Sequence, residues 1–200
     1  MNPRRLWFGA LAHAGIYRRL LLAERPLREP LPEVVPSMAA PVALLAVEQL
    51  DAYRAFRPDQ DPEEVRGRLG VGQLCMVAWH EGRIIGAAWL TARRVRLDYL
   101  HRDLELAPDE VFLYDGYTLP AFRGLRASPM RTAWALRYAR DRRYQRLLAA
   151  VLPENRSALP LWSRVGYHRL GVIGYVKVGP WRRDFLRLRP GGRPPGTRLA

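Results

Sequence analysis

The chain has 200 residues, 48% of them hydrophobic and 26% charged, enough for one domain that buries roughly 70% of its unfolded surface and too evenly mixed for global disorder. No apolar run approaches the roughly 18 residues that cross a bilayer, and the single Cys75 excludes an internal disulfide and suits a reducing cytoplasm. The net charge of +14 is one-sided: residues 1–118 hold 15 Arg against 16 Asp and Glu, whereas residues 119–200 hold 17 Arg and Lys177 against Asp141, Glu154 and Asp184. Such a field suits a multiply phosphorylated ligand or nucleic acid; a compositional preference for Arg over Lys accounts for part of it, so charge alone decides nothing.

In chain order, Leu6, Trp7, Leu11, Ile16, Leu20 and Leu21 recur at near-helical spacing and predict an amphipathic helix. Two settings are open to it: docking on the domain, or peripheral membrane contact through residues 1–23, whose apolar face is flanked by arginines. Pro26, Pro30, Pro32, Pro36 and Pro41 then mark an extended linker. Val42–Val47 is read as a strand, and Glu48–Phe56 and Pro62–Leu69 as short helices, the second with Asp61 as N-cap and Pro62 at its first position. Gln73–Trp79 and Arg83–Ala92 form a hairpin turning at His80-Glu81-Gly82, and Val95–Tyr99 extends it or adds a strand. Val111–Leu119 is a strand, Pro129–Arg142 a helix with Met130, Ala133, Trp134 and Tyr138 along one side, and Arg146–Val151 a buried strand. Asn155–Val165 is a helix, His168–Val178 a strand, and Arg182–Leu188 a last short strand. The expected organisation is a helical extension and Pro-rich linker over residues 1–40, one domain over 41–189 and a disordered tail over 190–200.

This order implies an α/β domain in which a crossover helix makes Val111–Leu119 and Arg146–Val151 parallel neighbours. Ligands of such sheets bind beyond the carboxyl ends of the strands. At that point stands Tyr117-Thr118-Leu119-Pro120-Ala121-Phe122-Arg123-Gly124-Leu125-Arg126-Ala127-Ser128-Pro129. A basic glycine-containing turn entering a helix offers unpaired amides, guanidinium groups and a positive dipole end, a cradle for pyrophosphate. Other chemistries find no footing. His13, His80, His101 and His168 have no ligand spacing with one another or with Cys75, so no metal is expected. Neither a Gly-x-Ser-x-Gly elbow nor a Gly-x-x-x-x-Gly-Lys-Ser/Thr loop occurs.

Over about residues 40–180 these features resemble the Gcn5-related N-acetyltransferase (GNAT) superfamily. Thr118, Pro120 and Arg123-Gly124-Leu125-Arg126-Ala127-Ser128 are similar to the end of its fourth strand and its Arg/Gln-x-x-Gly-x-Gly/Ala loop, Val151-Leu152-Pro153-Glu154-Asn155 to its fifth strand and Asn, and Leu161-Trp162-Ser163-Arg164-Val165-Gly166-Tyr167 to its Leu-Tyr-x-Lys-x-Gly-Phe/Tyr block. The resemblance implies a mixed, mostly antiparallel central sheet with parallel, splayed fourth and fifth strands and helices on both faces. It implies acetyl-CoA as co-substrate, held by Tyr117, Thr118, Leu119, Arg123, Gly124, Leu125, Arg126, Ala127, Ser128, Asn155, Ser157 and Trp162. Asn155 reads equally as a helix N-cap. The sequence departs from the pattern with Arg126 for a usual Gly, Ser128 for Gly or Ala, Arg143 for a Gly before the fifth strand, and Trp162 where many members have a proton-donating Tyr.

The activity so implied is transfer of an acetyl group from acetyl-CoA directly to the primary amine of a small molecule or peptide, by a cytoplasmic monomer or homodimer. Asp115 and Tyr117 are the catalytic candidates. Asp115 interrupts an apolar strand and is read either as general base or as a structural partner of an arginine. Tyr114, Tyr117 and Tyr167 are available to supply the proton that Trp162 cannot. Asp51, Asp59, Asp61, Glu63 and Glu64 suggest a cationic acceptor, or simply a solvated surface. Two alternatives stand beside the enzyme: a CoA-binding protein without catalysis, and a basic nucleic-acid-binding protein, although no specific nucleic acid is expected.

Overall fold

In the computed structural model, which describes residues 11, 14–31, 33, 40–124, 127–155 and 158–196, the chain forms β1 (Tyr17–Pro26), β2 (Val42–Leu44), α1 (Leu50–Phe56), α2 (Pro62–Gly70), β3 (Leu74–His80) and β4 (Arg83–Thr91). There follow β5 (Arg94–Leu97), β6 (Arg102–Glu105), β7 (Glu110–Thr118), α3 (Ala127–Asp141), β8 (Arg146–Val151), α4 (Ala158–Arg164), β9 (His168–Val178) and β10 (Trp181–Leu188). Eight strands make one sheet in the order β10-β9-β1-β8-β7-β4-β3-β2, while β5 and β6 pair as a separate hairpin. The β7–β8 pair is parallel and the other ladders of the sheet are antiparallel.

Strand alternation assigns the two faces. Met76, Ala88, Leu90, Val111 and Leu147 point to one side and pack under Ala135, Leu136 and Ala139 of α3. Cys75, Val77, Ala87 and Trp89 point to the other and meet Tyr53 and Phe56 of α1 and Val65 of α2. The β5–β6 hairpin covers the same side farther along, where Val95, Leu97 and Leu104 pack on Leu20, Leu22, Phe112, Leu148 and Ile173. Asp61 caps α2 as expected, its side chain accepting from the Glu63 amide at 3.0 Å, with Pro62 in the first helical position.

Two expectations are corrected here. The helical spacing through Ile16, Leu20 and Leu21 does not give a helix over residues 17–26; they form β1, inserted between β8 and β9. The run Leu20-Leu21-Leu22-Ala23 is apolar on both strand faces, so its local pattern fits either period, and two ladders with distant partners decide the outcome. Residues 1–10, 12 and 13, which carry most of the rest of that expected helix, lie outside the described residues. The tail is not loose over residues 190–196. Arg193 pairs with Asp109 at 3.0 Å, the carbonyls of Arg193 and Pro194 accept from Arg146, and the Gly196 amide donates to Glu110 at 2.9 Å. Residues 197–200 lie outside the described residues.

Candidate active site

The site begins with an irregularity in β7. Ala87 pairs with Tyr117 and Trp89 with Tyr114, so Asp115 and Gly116 stand opposite the single residue Ala88. This is a bulge, and Asp115 takes a left-handed φ of 46° within it. The parallel ladder with β8 runs from Glu110–Arg146 to Leu113–Ala149, and no pair follows it among the described residues. Beyond Leu113 one edge of β7 stays bonded to β4 while the other parts from β8. The two strands diverge beyond that point.

Two adjoining spaces occupy that divergence. A cleft of about 560 Å³ is bordered by Thr118, Arg123, Gly124, Ser128, Asn155 and Arg164. A smaller slot of about 210 Å³ lies among Tyr114, Ala149, Asn155, Trp162 and Tyr167. Arg131 lines both. The structure thus brings Tyr117, Thr118, Arg123, Gly124, Ala127, Ser128, Asn155 and Trp162 to the walls of a groove made of these two adjoining spaces. Leu125, Arg126 and Ser157, the remaining loop and helix-start candidates, lie outside the described residues. Leu119 is turned elsewhere: its amide donates to the Ile85 carbonyl at 3.0 Å and its side chain packs on the α1 side.

Local chemistry explains these placements. Gly124 has φ 83°, and a Cβ there would meet nothing within 4 Å, so the turn needs glycine for its conformation rather than for clearance. Arg123 donates to the Thr118 carbonyl at 3.3 Å, folding the turn over the strand end. Asn155 accepts from the Ala158 amide at 3.1 Å, the N-cap geometry for α4, while lining both spaces. Trp162 stacks on Tyr167 with ring centroids 5.4 Å apart and planes at 27°. The Tyr167 hydroxyl is buried with no partner among the described residues, and burial pushes its pKa up, so it holds its proton.

Asp115 also lines the slot, with its carboxylate engaged by residues of the α1–α2 region. Arg57 Nη1 donates to its Oδ1 at 3.4 Å, and Gln60 Nε2 and Arg68 Nη1 donate to its Oδ2 at 2.8 and 3.1 Å. Trp89 and Tyr53 extend the chain, the indole donating to the Tyr53 hydroxyl and that hydroxyl to Gln60. Tyr117 packs edge-on against Phe56, with the Arg57 guanidinium 4.7 Å from its ring centroid. Four of the five acids that suggested a cationic acceptor are engaged: Asp59 pairs with Arg57, Glu63 with Arg66, Glu64 with Arg68, and Asp61 caps α2, while Asp51 is exposed.

A profile of the acetyltransferase (GNAT) family matches residues 43–167, more than half of the chain. The chain belongs to the GNAT acetyltransferases. Its α/β fold, with a mostly antiparallel sheet and the parallel β7–β8 pair, is the fold expected above, β7 and β8 standing as the fourth and fifth strands of the family pattern. No protein of curated function matches the sequence. Among solved structures, the GCN5-related glucosamine N-acetyltransferase region of a fungal multi-domain GH3 β-N-acetylglucosaminidase is similar, with a TM-score of 0.60 and 15% identity over 86% of this chain and 23% of that one, so this GNAT protein spans about a quarter of the fungal enzyme. Aminoglycoside N-acetyltransferase AAC(6′)-Iy, solved in complex with CoA, aligns with a TM-score of 0.53 and 18% identity over 64% of this chain and 92% of that one. A GNAT-family protein from Novosphingobium aromaticivorans aligns with a TM-score of 0.55 and 14% identity, covering 80% and 65% of the two chains.

Among the groove residues that the sequence did not single out is Arg131. Of the residues read along one side of the long helix, Ala133 is buried and Met130, Trp134 and Tyr138 are partly buried; its innermost positions also include Ala127, Arg131, Ala135 and Ala139. The signal was present, a single arginine among alanines at four-residue spacing.

Proposed function

We propose that this GNAT protein moves an acetyl group from acetyl-CoA to a primary amine by direct attack of the amine on the thioester. The observation that carries the reading is the parting of β7 from β8 after Leu113 and Ala149, with a groove leading from the start of α3 into the slot. Two orphaned buried groups, on Arg131 and Tyr167, line that slot and fit a polar guest.

When bound, a CoA thioester supplies an acyl carbonyl open to attack by nitrogen. The amides at the start of α3 and the turn at Arg123 and Gly124 take the diphosphate end. The edge of β7 beyond Leu113 accepts the amide-bearing arm as an added strand would, and a main-chain amide of that edge polarises the carbonyl. As the new C–N bond forms and the C–S bond breaks, Tyr167 gives its hydroxyl proton to the departing sulfur and regains one from the amine by way of water. Trp162 fixes the ring of Tyr167 by stacking. Tyr117 borders the cleft and Asp115 the slot, and Asp115 holds Arg57, Gln60 and Arg68 in place. A carboxylate that already accepts from three donors keeps little capacity for a substrate proton.

Calorimetric titration with acetyl-CoA, followed by thiol release across a panel of primary amines and mass spectrometry of the products, tests the reading. Saturable binding and an acetylated amine support it. Binding without product from any amine favours a CoA-binding protein that has lost catalysis, and absence of binding removes the assignment altogether.

A further inference from the structure

Arg131 is the least expected side chain in the groove. It is 3% exposed, and one guanidinium nitrogen, Nη2, is 3.1 Å from the Thr118 hydroxyl. Nε and Nη1 are buried with no partner among the described residues. Among the described residues no carboxylate acts on it; Cys75 is the one ionisable neighbour among them that does, and burial pushes that thiol up, so it is neutral at pH 7. Burial pushes the guanidinium down to about 10, which still leaves it charged at neutral pH. The strand beneath makes way for it: a Cβ on Gly86 would lie 1.8 Å from Nη1. Here the glycine provides room, and the room is filled by a cation.

A buried cation without a counter-ion is held at a cost unless something brings the missing charge. Arg131 lines both the cleft and the slot, so a ligand entering the groove is the available source of that charge. Together these observations ask for an anion delivered by that ligand.

Resting on the donor reading above, we infer that Arg131 is an anion-receiving residue of the donor site, taking a negatively charged group carried by the thioester donor itself. Two parts of such a donor carry that chemistry: a carboxylate ending the acyl chain, as in malonyl or succinyl thioesters, and the diphosphate. Arg131 is a binding and selectivity residue here, distinct from the turn at Arg123 and Gly124. Its guanidinium offers a paired, directional set of N–H groups suited to either anion.

The test compares the full chain with its Arg131→Met variant in calorimetric binding of acetyl-CoA, succinyl-CoA and S-acetylpantetheine, which lacks the diphosphate, together with thermal unfolding of each ligand-free protein. The expected result is a variant at least as heat-stable as the parent whose affinity for an anion-bearing donor falls about tenfold or more, the loss set by the charge-assisted hydrogen bonds removed. If the carboxylate is the anion, the parent binds succinyl-CoA more tightly than acetyl-CoA and the variant loses that preference. If it is the diphosphate, both CoA esters weaken equally and S-acetylpantetheine is unaffected. Gly86→Ala keeps the charge but displaces the guanidinium, and it should reproduce the loss if the methionine variant folds poorly. Unchanged binding of all three donors in both variants overturns the inference and leaves the donor reading standing; a parent that binds none of them removes both.

Discussion

Arg143 shows how a single residue carries a conformational penalty without touching the groove. The amides of Arg143 and Tyr144 bond back to the carbonyls of Arg140 and Ala139, the paired closure of a helix end whose first outside residue is left-handed. Arg143 has φ 64°, where an L-residue is strained and glycine is not. Arg143→Gly should therefore stabilise the fold by about 1 kcal/mol, read as a higher urea midpoint at an unchanged slope, with donor binding unaltered. Asp115 also has a left-handed φ, which asparagine tolerates well, so Asp115→Asn is a clean probe. If the carboxylate holds Arg57 and Arg68 in place, the variant loses about 1–2 kcal/mol of stability. Its turnover then drops less than about tenfold and the acidic limb of the rate profile survives. Loss of that limb with a fall of about 10²–10⁴ would restore Asp115 to the role of general base.

The β7–β8 pair works as an element because it is locked at one end and open at the other. At the locked end Glu110 is 0% exposed and Arg146 4%, and the two pair side by side. Arg146 also bonds to Glu24 of β1 at 2.5 Å, and Glu110 accepts from the amides of Ala107 and Gly196, both at 2.9 Å. Removing one partner strands the rest in a dry site. Glu110→Ala should cost about 3–5 kcal/mol in urea unfolding, towards the lower end because Glu24 still faces Arg146. This lock was invisible in the sequence, since Glu110, Arg146, Glu24 and Gly196 meet only after four separate segments assemble. What was legible here was local: the crossover through α3, the two parallel strands and the Asp61 cap each rest on neighbouring residues. The glycine turn at Gly124 was legible for the same reason, whereas the tertiary partners of Asp115 and the burial of Arg131 depend on elements remote in sequence.

Across the whole molecule, the position of β1 decides where the folded unit starts. The proline-rich stretch after residue 26 has the composition of a boundary, yet the strand before it is central: Leu21 pairs with Val151 of β8 and with Val172 of β9. Arg25, 3% exposed, reaches back to donate to the Val165 carbonyl at 2.8 Å, tying the end of α4 to this strand. Gly166, with φ 79°, keeps the space clear, because a Cβ there would lie 2.9 Å from Arg25 Nε. Deleting residues 1–26 therefore removes a middle strand and exposes two ladder edges at once. Leu20 and Leu22 are 7% and 0% exposed. Emptying even one such site to alanine typically costs about 2–5 kcal/mol, and a whole domain has only about 5–15 kcal/mol to lose. A chain starting at Leu27 should show no cooperative urea transition and no donor binding, while the intact chain unfolds in one step. If the shortened chain instead unfolds cooperatively and binds acetyl-CoA as the full chain does, β1 is an accessory and the domain begins after the prolines.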